Sequence, residues 1–383
     1  MTNAGSALNL GFATRYEPDQ LATWSYTPWH LLQSLGSIVD VTDVTYRPNR
    51  FQLAAYRATS TRRVGGGWTS PWRHSCRFIG AAERAMSKAA LAARCDTVVQ
   101  VIPLAPLSDL PYFVYHDVSL EATLEFRDAR TGEVPRYPRL SLKEAAEVCH
   151  SQQEIYAGAT GVIAMSHWFA SILVDRHGLP PDKVHVVTPG ASAAQGMAFP
   201  IGKKPVRESP RRHLLFAGKF FALKGGDLVL KAFQILRDQF DPMLRLTIVG
   251  PSESPGSLPD GVRFLGRLPI AKMGELYETA DLLVMPSRFE AFGIVFVEAL
   301  AHGIPCIGRN DFAMPEIIEV GRNGALLQND DPEELAALIA SVLRDDGIYA
   351  NCHDRMAEAA DGLSWDRAAR EMLTVIDRSL GPS

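Results

Sequence analysis

The chain has 383 residues, too many for one ordinary hydrophobic core, so two domains are expected. Hydrophobic residues make up 46% and charged residues 21%, the balance of a globular protein rather than a disordered or membrane-spanning one. The net charge of −4 offers no whole-molecule attraction to polyanions, which argues against a dedicated DNA or RNA binder and leaves only local patches.

From the start of the chain, short apolar segments alternate with longer amphipathic ones, the pattern of parallel strands joined by helices. Residues 1–13 lack the basic n-region and apolar core of a secretory signal. No apolar run approaches the ~18 residues needed to cross a bilayer, so a cytoplasmic protein is expected. In the first half, residues 8–13, 96–102, 112–115, 161–165 and 184–187 predict strands, and 81–93 and 142–157 predict helices. From Arg47 to Arg94 the chain also carries Arg50, Arg57, Arg62, Arg63, Arg73, Arg77, Arg84 and Lys88, with Glu83 as the sole acid. Trp68 and Trp72 follow the triple glycine Gly65, Gly66 and Gly67. This basic 47–94 region reads as a face for anionic lipid at the inner membrane surface, as a site for an anionic soluble acceptor, or as a solvated face.

Residues 190–210 hold Gly196, Pro200, Gly202, Pro205 and Pro210 with little periodicity, which predicts a linker between 1–190 and 191–363. Beyond it, residues 213–217, 245–249, 263–265, 281–285 and 305–308 predict strands, and 226–239, 270–280, 295–301 and 332–344 helices. Residues 364–383 predict a final helix with Trp365, Ala368, Ala369, Leu373 and Ile376 on one face. The fold class is α/β, with two doubly wound domains facing a cleft and ligand expected at the carboxyl ends of strands.

Several familiar machines are excluded. Gly65–Gly66–Gly67 leads into Trp68 and does not fit a dinucleotide fingerprint, and Gly196 to Lys203 has the wrong spacing for a P-loop. There is no G-x-S-x-G elbow, no H-E-x-x-H helix and no Asp-x-Asp triplet. Cys76, Cys95, Cys149, Cys306 and Cys352 are odd in number and scattered, which predicts buried free thiols rather than a zinc site or disulfide framework.

Two segments carry chemistry. In the first, a strand ends at Ala217, Gly218 permits a sharp turn, and Lys219 and Lys224 flank a loop opening a helix beyond Gly226. Two ammonium groups beside backbone amides suit a diphosphate, although Lys-Gly loops are also common structural turns. In the second, a buried strand runs through Pro286-Ser287-Arg288-Phe289-Glu290-Ala291-Phe292 to a helix starting near Gly293 or Ile294. The free amides of that helix start favour an anion. Glu290 and Glu298 beside a phosphate require hydroxyl donors, such as a ribose diol and sugar hydroxyls. The bland alternatives are a helix-dipole partner for Glu290 and a solvated Glu298.

Glu290, seven residues and then Glu298, within Ser-x-x-Glu-x-Phe-Gly, resembles the signature of retaining glycosyltransferases of family four, the glycosyl transferases group 1, which have the GT-B fold. Glu298-Ala299-Leu300-Ala301-His302-Gly303-Ile304-Pro305, Phe264-Leu265-Gly266, Tyr277-x-x-Ala280-Asp281 and Glu316-Ile317-Ile318 with Asn323-Gly324 match in order, over residues 150 to 380. The resemblance implies a hexosyltransferase with a nucleotide diphosphate sugar of UDP or GDP type as co-substrate, no cofactor and no metal. It implies that Lys219, in place of an arginine, and Lys224 hold the diphosphate. Gly218 and the amides of Phe292, Gly293, Ile294 and Val295 line the donor, Glu298 binds its ribose, and Glu290 lies beside the transferred sugar. His116 fits the cleft histidine, with a structural role as its alternative. Residues 1–190 become the acceptor domain, 191–363 the donor domain, and 364–383 a helix returning to the first. Trp24-Ser25-Tyr26-Thr27-Pro28 departs from the family by placing Tyr26 where glycine is usual. A nucleotide-sugar-binding protein without catalysis, or an epimerase on the same fold, is the alternative function.

Overall fold

The computed structural model describes residues 8–15, 26–64, 67–126, 140–190, 206, 208–269, 272–362 and 364–381. Most of the expected linker, the Gly196–Lys203 segment, Trp24, Ser25, Gly65 and Gly66 lie outside the described residues. Contacts group the chain into two units, Met1–Thr188 with Ala368–Ser383, and Pro189–Arg367.

The first unit contains β1 (Asn9–Ala13), α1 (Thr27–Gly36), β2 (Asp40–Asp43), α2 (Arg50–Ser60), and an antiparallel hairpin of β3 (Arg62–Val64) and β4 (Gly67–Thr69). It continues with α3 (Cys76–Ala92), β5 (Thr97–Val101), β6 (Tyr112–His116), α4 (Leu120–Leu124), α5 (Leu142–Gly158), β7 (Gly161–Ala164), α6 (His167–Asp175) and β8 (Val184–Val186). Six strands form one sheet in the order β2-β1-β5-β6-β7-β8, and their recorded pairings are parallel. Every residue of β5 and β6 is buried, as apolar strands covered on both faces must be.

The second unit repeats the design with β9 (His213–Ala217), α7 (Gly226–Gln239), β10 (Arg245–Val249), β11 (Val262–Gly266), α8 (Met273–Thr279), β12 (Leu282–Val284), α9 (Ile294–Ala301) and β13 (Cys306–Arg309). Then come α10 (Met314–Ile317), β14 (Gly324–Leu327), α11 (Pro332–Arg344), α12 (Asp346–Asp354) and α13 (Met356–Gly362), before the final α14 (Trp365–Leu380). The parallel order β11-β10-β9-β12-β13-β14 means that the chain builds outward from β9 in one direction, then returns and builds outward from β12 in the other. In doubly wound sheets ligands bind at the carboxyl ends of the two strands where that direction reverses, here β9 and β12.

Periodicity predicts β9, β10, α7 and α11 with the bounds found. It misses β2, β3, β4 and β14, and the helices α1, α2, α4, α6, α10, α12 and α13. β2 reads Asp-Val-Thr-Asp and pairs only with β1 at the sheet edge, so it carries no apolar run. α3 starts five residues ahead of the expected 81, because Ser75 caps it by accepting from the Phe78 amide at 3.3 Å. The cysteines are free, but Cys76 is exposed and Cys149 half-buried, which corrects the expectation of uniformly buried thiols. Among the described residues, no helix is long and apolar enough to cross a membrane.

Candidate functional site

The two chemically suggestive segments lie at the carboxyl ends of β9 and β12, neighbours that pair Leu214 with Leu282 and Leu215 with Leu283. Sheet topology therefore brings the loop after Ala217 beside the loop after Val284. Their approach is close. Gly225 caps α7 with φ 77°, and a Cβ there would stand 2.5 Å from the Pro286 carbonyl oxygen.

Across this seam Lys224 Nζ donates to Glu290 Oε2 at 2.8 Å and to the Phe289 carbonyl at 2.9 Å. Both side chains are largely withdrawn from water, at 16% and 14% exposure, so the attraction is less screened than at a surface. An ammonium has three N–H donors, and two are committed here. Lys219 lies exposed at the start of the same turn, beside an exposed Phe220. Gly218 keeps the turn tight: a Cβ there would meet Lys224 Cγ at 2.9 Å.

Helix α9 starts at Ile294 after Gly293, which has φ 95° and contributes no side-chain cap. The first amides of a helix have no partner inside it, so Ile294 and Val295 begin an anion-receptive end with two half-buried side chains. The side chain of Phe292 is buried against Val297 and Ala313, so it anchors the loop, and only its backbone is available for a donor.

Glu298, one turn into α9, is 4% exposed, which overturns the solvated alternative. The fully buried Tyr277 donates its hydroxyl to Glu298 Oε2 at 2.8 Å. Burial, and then the Glu298 charge, push the Tyr277 phenol well above its usual range, so it stays a proton donor. Neither carboxylate needs a ligand hydroxyl to be satisfied. Lys224 serves Glu290 and Tyr277 serves Glu298.

Residues 201–361 match the family described as glycosyl transferases group 1. The matched segment lies within the second unit. The chain is 31% identical to D-inositol 3-phosphate glycosyltransferase of Streptomyces coelicolor, across 57% of this chain and 55% of that one. It thus spans only just over half the length of such a curated relative. Among solved structures, sucrose-phosphate synthase of Thermosynechococcus elongatus superposes with a TM-score of 0.69 at 16% identity, covering 97% of this chain and 99% of that one. HepE of Anabaena, in complex with UDP and glucose, gives 0.59 at 15%, covering 96% and 99%. With two Rossmann-like parallel sheets and these neighbours, the fold is GT-B.

The Lys224–Glu290 pair joins the Gly218 turn to the loop of Phe292 and Gly293 and the α9 start at Ile294 and Val295, with Glu298 a turn further along α9 and Lys219 exposed on the turn. His116 belongs to the N-terminal unit, as the last residue of β6. Its Nδ1 pairs with the Tyr156 hydroxyl at 2.6 Å, its ring stands edge-on to Phe169, and it is 4% exposed. Nearby, His177 Nδ1 and Nε2 lie 2.7 Å from Gln153 Oε1 and 2.9 Å from Ser119 Oγ. Tyr26 adopts φ 65°, the left-handed conformation that glycine would take without strain.

Sequence reasoning names Tyr277 only as part of a motif and misses Asp227, Arg309 and Asp330. Asp227 and Asp330 accept from Arg288, and Arg309 donates to Asp330, all from separate segments, so no spacing announces them. An arginine inside the quoted loop is the one available signal.

Proposed function

We propose that the protein is a retaining hexosyltransferase that moves a sugar from a UDP- or GDP-type nucleotide sugar to an acceptor hydroxyl. The observation that carries this reading is the meeting of Lys224, Glu290 and the uncapped start of α9 at the reversal point of the C-terminal sheet. A diphosphate there would face two ammonium groups and a helix start, while Glu290 stands ready for sugar hydroxyls. The match of residues 201–361 to the group 1 family supports it.

In this reading the acceptor oxygen attacks the anomeric carbon from the side on which the phosphate leaves. The bond to the β-phosphate oxygen breaks, and that oxygen takes the acceptor proton. Lys219, Lys224 and the amides of Gly293, Ile294 and Val295 offset its growing charge, which is preorganised electrostatic stabilisation. Glu298 holds the ribose. Charge balance by lysines and amides asks for no metal and no cofactor.

The acceptor is the less defined partner. An anionic acceptor suits the basic 47–94 region and accords with the inositol phosphate in the relative's name. A second use of that region, contact with anionic lipid, is favoured by Phe51 and Trp68, which are 71% and 70% exposed. Liposome flotation at low and high salt tests it, and no binding at low salt removes it.

Incubation with a panel of UDP- and GDP-sugars, with and without acceptors, tests the function. Acceptor-dependent release of nucleoside diphosphate is expected. Conversion of donor alone into another nucleotide sugar would instead identify an epimerase, and binding without transfer or hydrolysis a sensor.

A further inference from the structure

Four charged residues behind the Lys224–Glu290 pair come from four segments. Asp227 is in the first turn of α7, Arg288 in the loop after β12, Arg309 at the end of β13, and Asp330 just beyond β14. Arg288 donates from Nη1 to Asp227 Oδ1 at 2.6 Å and from Nη2 to Asp227 Oδ2 at 3.0 Å. Its Nε and Nη2 also reach Asp330 at 3.1 and 2.7 Å, and Nη1 meets the Ala222 carbonyl. Arg309 closes the ring, donating to Asp330 at 2.6 Å, to the Ser287 carbonyl at 3.2 Å and to the Pro286 carbonyl at 3.3 Å. The Arg288 amide donates to the Leu223 carbonyl at 2.9 Å.

These partners are only partly buried, Asp227 at 43% exposure and Asp330 at 48%, so their ion pairs are weak sources of stability. What the planar forks do supply is geometry. Arg288 ties the loop holding Lys224 to the loop holding Glu290, and the next residue along, Phe289, offers the carbonyl that receives Lys224. Two arginines and two aspartates cancel in charge, so the cluster adds no net charge beside the Lys224–Glu290 pair.

We propose that Arg288, gripped by Asp227 and Asp330 and backed by Arg309, is a positioning residue that holds Lys224 against Glu290. Its consequence for donor binding rests on the function proposed above. Misplacement of a charged group by ~1 Å can cost up to about 10²-fold in a preorganised site, so the register of the two loops matters more than the strength of any single pair.

The test is a double-mutant cycle with two readouts. Without nucleotide, the fall in melting temperature caused by Lys224→Met is measured in the wild type and in Arg288→Ala. The fall is expected to shrink to less than about half once the clasp is gone. An unchanged fall overturns the proposal. With UDP and GDP as calorimetric probes, Arg288→Ala is expected to weaken binding about tenfold in the wild type and less than about twofold in Lys224→Met. Equal weakening in both backgrounds, or none in the wild type, would also overturn it. If the wild type binds neither nucleotide while the ligand-free coupling is present, the clasp is supported and the donor reading fails. Asp330→Asn, at a half-exposed position, repeats both measurements should Arg288→Ala not fold.

Discussion

At the scale of single residues, the site solves a problem of like charge. Two carboxylates stand near the helix start proposed to receive phosphate, and each is held by a protein donor: Lys224 for Glu290, Tyr277 for Glu298. In the proposed complex, removing Lys224 strips a charge from the diphosphate and leaves Glu290 repelling it. Lys224→Ala and Glu290→Ala are each expected to lower transfer by about 10²- to 10³-fold with the fold intact, read by initial rates and circular dichroism. Near wild-type turnover in either variant would refute their roles. Tyr277→Phe should act differently. It removes the phenol donor from a buried carboxylate, costing about 1–3 kcal/mol, and loosens the group proposed to grip the ribose. Weakened binding is therefore expected for UDP or GDP but not for the 2′-deoxy counterpart. Equal weakening for both would show that Tyr277 serves the fold alone.

At the scale of elements, loops are registered by close backbone approach. Gly293 combines φ 95° with a Cβ position 2.6 Å from the Phe296 ring. Gly293→Ala is expected to destabilise the protein by about 1–3 kcal/mol, a drop of several degrees in melting temperature, and to weaken nucleotide binding. A neutral change would mean that the start of α9 is less constrained than its geometry implies. The same loops show what a sequence can disclose. The apolar runs of β9, β10 and β12 and the lysine and glutamate patterns between them make the proposed donor segments legible in the sequence. Lys219, Lys224, Glu290 and Glu298 all come from there. The pairing of Lys224 with Glu290 was not visible, because it depends on β9 lying next to β12 across 65 or more residues of chain. Nor was the Arg288 clasp, whose members share no spacing. Polar edge strand β2 and short β14 escape periodicity because too few of their residues alternate or run apolar.

At the scale of the molecule, the two units carry different chemistry. Three histidines of the N-terminal unit are held neutral. Burial is the largest cause for each, pushing His74 down to about 3, with Arg15 and Arg73 adding to it; His177 and His185 are lowered despite nearby Glu121 and Asp182. Unfolding lets them titrate near 6.5, so the unfolded chain binds protons that the fold refuses. Stability is therefore greatest above about pH 6.5 and falls as pH drops below it. Melting temperatures between pH 7.5 and 5 are expected to decline, with a shallower slope in His177→Gln. A flat or rising profile toward acid would contradict the burial of these groups.

A crystal structure with bound nucleotide measures directly where a diphosphate sits. UDP or GDP, whichever raises the melting temperature more, is expected with its phosphates over the amides of Ile294 and Val295 and within hydrogen-bonding distance of Lys219 or Lys224. Nucleotide bound elsewhere on the chain, or phosphates turned away from the start of α9, would contradict that placement.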